Sequence, residues 1–171
     1  MKNKIIITLV GILVLSGLGY VLNFWYNLGN SIGYAPEQPI PFSHKIHAGD
    51  NQIQCLYCHV NADKGRHATV PSLNVCMNCH SVVKADSPWI QKIKEHYEKN
   101  QPIEWTKVFD QPDFVYFNHR PHIAKGFACE TCHGDVKQMG RVEQVESLHM
   151  GYCLDCHRQN GAPTSCNTCH R

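Results

Sequence analysis

Beyond its first 26 residues the chain has little from which to build an ordinary hydrophobic core. Aromatic residues are 9 % of its 171 residues and the mean hydropathy is −0.34. Much of the apolar content lies in that opening stretch. No well-formed strand pattern is present, which excludes a sheet protein. The formal net charge is +2, and no run of Lys and Arg forms a nucleic-acid footprint, so no nucleic-acid partner is expected. There is no Ser-His-Asp arrangement, phosphate loop or paired-carboxylate motif, so no separate catalytic site is expected. Nor is any cysteine spare. All 10 fall in five C-x-x-C-H clusters: Cys55 with Cys58, Cys76 with Cys79, Cys129 with Cys132, Cys153 with Cys156, and Cys166 with Cys169.

The apolar content that is present is concentrated in Ile5–Trp25. Those residues would make a helix about 31 Å long, which matches a bilayer core of roughly 30 Å. Lys2 and Lys4 precede the run and no Lys or Arg follows until Lys45. The positive-inside rule then keeps the short tail in the cytoplasm and places the bulk of the chain on the periplasmic side of a bacterial inner membrane. Tyr20, Phe24, Trp25 and Tyr26 mark the far interface. A cleaved signal peptide is the alternative, but the run is long for one and has no A-x-A site. Residues 27–41, rich in Gly, Pro and Asn, read as a linker.

Two cysteine-rich blocks follow, 42–84 and 114–171, separated by a connector, 85–113. In the connector Ser87-Pro88 starts a helix, with Trp89, Ile90, Ile93 and Tyr97 as its apolar face. His96 reads as a solvated histidine opposite Trp89 and Ile93. The blocks themselves read as loops joined by short helical turns. Each begins with F-x-H-x-x-H: Phe42, His44 and His47, then Phe117, His119 and His122. The motif precedes the first cysteine by 13 residues in one block (55 − 42) and 12 in the other (129 − 117). An internal duplication accounts for this.

C-x-x-C places two thiols one helical turn apart, suited to two thioether bonds with one haem, and the following His reaches the iron. His59, His80, His133, His157 and His170 are the proximal candidates. Zinc ribbons and disulfides are the rivals, but neither requires His after the second cysteine five times. Five covalently bound haem c groups are therefore expected. With about 145 residues outside the membrane, the haems themselves would form the core. Seven histidines remain: His44, His47, His67, His96, His119, His122 and His149. A three-residue spacing turns both imidazoles of F-x-H-x-x-H to one side. His44 would then serve the first haem and His47 the second; His119 would serve the third and His122 the fourth. His67 is an alternative ligand.

Residues 117–171 resemble the class III cytochromes c in their triheme c7 form, and the first block looks like the same module without its third haem site. That resemblance implies His149 as second ligand of the iron held by His170. Met139 and Met150 remain alternatives. The N-terminal span, DFVYFNH, the VPS before CMNCH, and SLHMGYCLDCH resemble the pentahaem cytochrome c subunit, ActA, of alternative complex III. This implies electron transfer from quinol oxidation to a cytochrome c or terminal oxidase. It also implies partners: an iron–sulfur protein, integral membrane subunits and a monohaem cytochrome c. An autonomous quinol dehydrogenase of the NapC/NrfH type is the alternative. The fold class expected is mostly irregular with small α elements: a multihaem cytochrome c with a haem-built core and one N-terminal transmembrane helix.

Overall fold

The computed structural model describes residues 2–28 and 30–170. Met1, Gly29 and Arg171, and the side chains of Lys2, Tyr26 and Asn27, lie outside the described residues. The expected interface role of Tyr26 and the extreme ends of the chain therefore fall outside as well. The chain divides into two compact units, residues 1–31 and 32–171.

The first unit is one helix, α1 (Lys2–Asn27). Within it Asn3–Trp25, 23 residues, is long and apolar enough to cross a membrane. Its apolar side chains are exposed all round the helix, Leu13 by 72 % and Ile7 by 71 %. A helix apolar on every side has no single face to dock on a protein core, and fits a surrounding of lipid. The aliphatic hydroxyls of Thr8 and Ser16 are satisfied locally. Thr8 Oγ1 donates to the Lys4 carbonyl and Ser16 Oγ to that of Leu13, both at 2.9 Å, as a dry environment requires.

The second unit is built of short helices: α2 (Cys55–Cys58), α3 (Leu73–His80), α4 (Pro88–Glu98), α5 (His119–Ala124), α6 (Glu130–His133), α7 (Met150–Gln159) and α8 (Cys166–Cys169). A π-helical turn covers Lys45–Asp50 and a 3-10 turn Val136–Gln138. Among the described residues there is no strand, only an isolated antiparallel bridge between Val115 and His170.

Among the described residues one small apolar cluster is present: Ile40, Ile90, Ile93 and Ile103, with Leu73, Cys76, Met77 and Trp105 packed on it. It joins α4 to α3. The α4 helix starts where Pro88 can occupy a first-turn position without a lost N–H bond. Ser87 caps by position alone: its side chain makes no capping bond, and its carbonyl accepts from Gln91 N at 2.9 Å. Of the expected apolar face Ile90 and Ile93 are buried, whereas Trp89 and Tyr97 are 49 % and 43 % exposed. His96 differs from expectation. Seven residues from Trp89 and three from Ile93, it shares their side of the helix, is half-buried, and its Nδ1 meets the Pro102 carbonyl at 3.2 Å.

Part of the Gly- and Pro-rich stretch is packed against this cluster. Gln38 forms a two-bond amide clamp on Thr106, Nε2 to the carbonyl and Oε1 from the N–H, each 2.9 Å. Lys92 Nζ donates to Pro39 O at 3.1 Å. Ile40, next in sequence, is 4 % exposed.

Candidate functional site

Each C-x-x-C-H cluster sits on a single helical turn or a short helix. In three of them the histidine N–H donates to the carbonyl of the first cysteine: His59 to Cys55 at 2.9 Å, His133 to Cys129 at 3.0 Å and His170 to Cys166 at 2.9 Å. α3 carries Cys76 and Cys79, and α7 carries Cys153 and Cys156. Three-residue spacing on a helix puts both thiols on one face, one above the other. Among the described residues no two cysteines are joined in a disulfide. Burial raises the Cys58, Cys76, Cys132 and Cys153 thiols above their ordinary range, and that of Cys129, with Cys55 beside it.

Cys156 has a side-chain partner that its motif does not announce. It is half-buried, and Asn160, one turn further along, donates its Nδ2 to the Cys156 carbonyl at 2.8 Å and to Cys156 Sγ at 3.7 Å. The expected role of Cys156 is attachment alone. A sulfur remains a weak acceptor as a thioether, so the Asn160 contact does not compete with a thioether bond at Cys156.

The F-x-H-x-x-H elements are held alike in both blocks. Phe42 stands edge-on to His44 (centroids 4.9 Å, 84°) and stacks on His47 (4.3 Å, 23°). Phe117 repeats this with His119 (4.7 Å, 86°) and His122 (4.8 Å, 30°). His47 Nδ1 meets the Ser43 carbonyl at 2.8 Å, and His122 Nδ1 the Asn118 carbonyl at 2.7 Å. The one-residue difference in spacing has a visible seat. The first block turns through the π-helical segment, with Asn51 N donating five residues back to Ile46 O at 3.1 Å, where the second uses α5. A π turn absorbs one extra residue without changing the direction of the flanking chain.

Each of these four histidines faces a C-x-x-C-H histidine. His44 lies 6.4 Å from His59 with rings parallel to 3°, and His119 lies 6.3 Å from His133 at 8°. His47 is 6.1 Å from His80, and His122 is 5.9 Å from His157. Two opposed imidazoles holding one metal ion at about 2.0–2.1 Å each, with ring centres about 1.1 Å behind the nitrogens, need centres about 6.2–6.4 Å apart. The His44–His59 and His119–His133 separations match that span, and the other two, at 6.1 and 5.9 Å, are slightly shorter than it.

The tautomers fit as well. Nδ1 of His59 meets Thr69 O (2.6 Å), that of His80 Val83 O (2.9 Å), that of His119 Arg66 O (2.6 Å) and that of His157 Pro163 O (2.6 Å). A carbonyl only accepts, so Nδ1 carries the proton and Nε2 keeps its lone pair for a metal. His44 Nδ1 is buried without a partner. Burial, then the neighbouring His59, lowers the His44 pKa to about 4. Burial, then His119, does the same for His133. Both imidazoles are neutral at pH 7, as ligation requires.

Zinc finds no such support. Among the described residues no three His, Cys, Asp or Glu side chains converge as a metal-ion cluster. His67 is exposed. A surface cleft of about 430 Å³, lined by Leu73, His96, Tyr97, Ile103 and Trp105 among others, includes none of the paired histidines or cysteines.

The fifth cluster is arranged differently. His170 Nδ1 meets Phe114 O at 3.2 Å, and Phe114 is its ring neighbour at 5.8 Å. Tyr116 N donates to Cys169 O at 2.7 Å. Of the three candidate second ligands, Met139 is half-buried beside the first block, its carbonyl accepting from Lys45 N at 2.9 Å. Met150 is 64 % exposed at the start of α7. His149 is the N-cap of α7, next to Leu148, whose carbonyl accepts from Gln111 Nε2 at 3.2 Å.

Residues 115–171 match the family model described as "Cytochrome c7 and related cytochrome c". The chain is 29 % identical over 178 aligned positions to the "Menaquinone reductase, multiheme cytochrome c subunit" of Nitratidesulfovibrio vulgaris. That alignment covers 90 % of this chain and 85 % of the relative. It is 34 % identical to cytochrome c3 of Desulfuromonas acetoxidans over 56 residues, 33 % of this chain and 79 % of the relative.

Proposed function

Because the chain belongs to the c7-type multihaem cytochromes c, we propose that it is a membrane-anchored pentahaem electron relay. In this reading it is one subunit of a quinone-linked respiratory complex resembling alternative complex III. The supporting observation is the set of four facing imidazole pairs. Each joins one C-x-x-C-H histidine to one F-x-H-x-x-H histidine at 5.9–6.4 Å.

The ten cysteines would hold the porphyrins by thioethers and the paired histidines would hold four irons from both sides. His149 is the proposed second ligand at His170. Val115 N donates to Pro112 O at 2.8 Å, closing a turn that brings Gln111, bonded to Leu148, near Phe114, bonded to His170. Haem c supplies a one-electron Fe(III)/Fe(II) couple. The chain's part is to orient the ligands, keep the imidazoles neutral and saturate each iron so that no position is open to substrate. The porphyrins would also supply the missing core: the described residues include no apolar side chain under 2 % exposed.

In this reading α1 anchors the haem unit on the periplasmic face of the inner membrane, against integral membrane subunits. An iron–sulfur protein hands electrons from quinol oxidation to the relay, and a monohaem cytochrome c or terminal oxidase receives them. The name of the Nitratidesulfovibrio relative favours a second reading, in which flow runs the other way and quinone is reduced.

The test is a haemochrome count and low-temperature EPR on the purified membrane complex. Five haems per chain, at least four with bis-imidazole spectra, are expected. A high-spin site that binds cyanide would overturn the saturated relay. Reduction of the haems by menaquinol, against oxidation of the haems by menaquinone, decides the direction. His149→Leu should turn one haem high-spin, and Met139→Leu should not.

A further inference from the structure

Arg66 belongs to none of the motifs, yet it touches the second block from both ends. Its carbonyl accepts from His119 Nδ1 at 2.6 Å and from His119 N at 3.3 Å. Its Nε donates to Phe117 O at 3.3 Å, and its guanidinium lies 4.6 Å from the centre of the Tyr116 ring. Gly65, before it, accepts from Arg120 N at 3.2 Å. Three residues on, Thr69 adopts φ +62°, a left-handed conformation costly for a β-branched residue. That turn presents the Thr69 carbonyl to His59 Nδ1 at 2.6 Å. One loop of the first block thus supplies the Nδ1 acceptor for an imidazole of each block.

We propose that Arg66 is a positioning residue: it clamps loop 65–69 onto residues 116–120 and so sets the donor strength of His119. The proposal rests on His119 being an axial ligand. An acceptor at Nδ1–H makes Nε2 more basic, and a more basic ligand favours the oxidised iron and lowers its potential. His44, the counterpart of His119 in the first block, has no acceptor at its buried Nδ1. The two repeats thus carry the accepted Nδ1 on opposite partners, on His59 in the first facing pair and on His119 in the second. A guanidinium suits the task because it can stack on Tyr116 and donate to Phe117 O at once, which an ammonium does less well.

The test is a spectroscopic redox titration of the full-length holoprotein in its membrane complex, wild type against Arg66→Ala, Arg66→Lys and Tyr116→Leu. Arg66→Ala should move one bis-imidazole haem to higher potential by about tenfold in its reduction equilibrium, about 59 mV for one electron. Arg66→Lys and Tyr116→Leu should move the same haem the same way by less. Losing a positive charge alone shifts a potential downward, so the sign separates the clamp from simple electrostatics. A downward shift in Arg66→Ala with none in Arg66→Lys overturns the proposal. So do five intact haems with unmoved potentials, or equal movement of all of them. Should Arg66→Ala fail to mature, Tyr116→Leu decides alone. A wild type without bis-imidazole signals removes the relay reading itself, which is a different failure.

Discussion

Phe42 braces His44 and His47 much as Phe117 braces His119 and His122, one ring edge-on and one stacked. The surroundings of the two elements are unlike. His119 has a carbonyl at Nδ1 where His44 has none. His133 has Phe109 edge-on at 4.5 Å. At the position of Ala124 in α5 the first block carries Gly49, because a Cβ there would strike the Lys137 carbonyl. The first block leans on the isoleucine cluster through Leu73, Cys76 and Met77, whereas the second closes on its own C-terminus through the Val115–His170 bridge. The two F-x-H-x-x-H elements share their ring geometry, while each has its own support.

That contrast can be broken most severely at the thioethers. Replacing Cys129 and Cys132 by Ala should cost one haem by haemochrome count and leave the second block unfolded by proteolysis, since apolar packing there has little else to rely on. The same change at Cys76 and Cys79 should cost one haem yet leave part of the isoleucine cluster protected. Next in size is Ile90→Ala, expected to destabilise by about 2–5 kcal/mol as a large-to-small core change. Hydrogen exchange should show the loss in the first block and the connector, not in residues 114–170. Gly49→Val should destabilise by about 1–3 kcal/mol through overpacking, read as a lower denaturation midpoint, while Ala124→Val in the other repeat should cost less. Smallest is Phe109→Leu, expected to remove about 0.5–1.5 kcal/mol of edge-to-face contact and to alter the EPR signal of the haem held by His133 alone.

Several features were legible before any fold was seen. Ser87-Pro88 announces α4, and the helix runs Pro88–Glu98. Three-residue spacing in F-x-H-x-x-H predicts two imidazoles on one side, and both face C-x-x-C-H histidines. The side of α4 on which His96 lies was also computable from its number, and the expectation of a solvated residue opposite Trp89 ignored the 3.6-residue period. Arg66, Thr69, Val83 and Pro163 were not legible, because each contributes a backbone carbonyl, and every residue has one. The amide of Asn160 on Cys156 was hidden for a related reason: many side chains lie four residues from a cysteine, and few of them bond to it. Residues 37–40 read as a linker by composition, and only tertiary contacts, the clamp on Thr106, the Lys92–Pro39 bond and the burial of Ile40, show them docked.

By itself, then, the sequence determined the chemistry of attachment. Cysteine and histidine types at fixed short spacing are set by one helical turn, and the apolar length of the first segment by its residues alone. Tertiary structure decided which histidine faces which, and which carbonyl meets each Nδ1. Those partners lie up to 56 residues apart, as His170 and Phe114 do, and no local period encodes a contact across that distance.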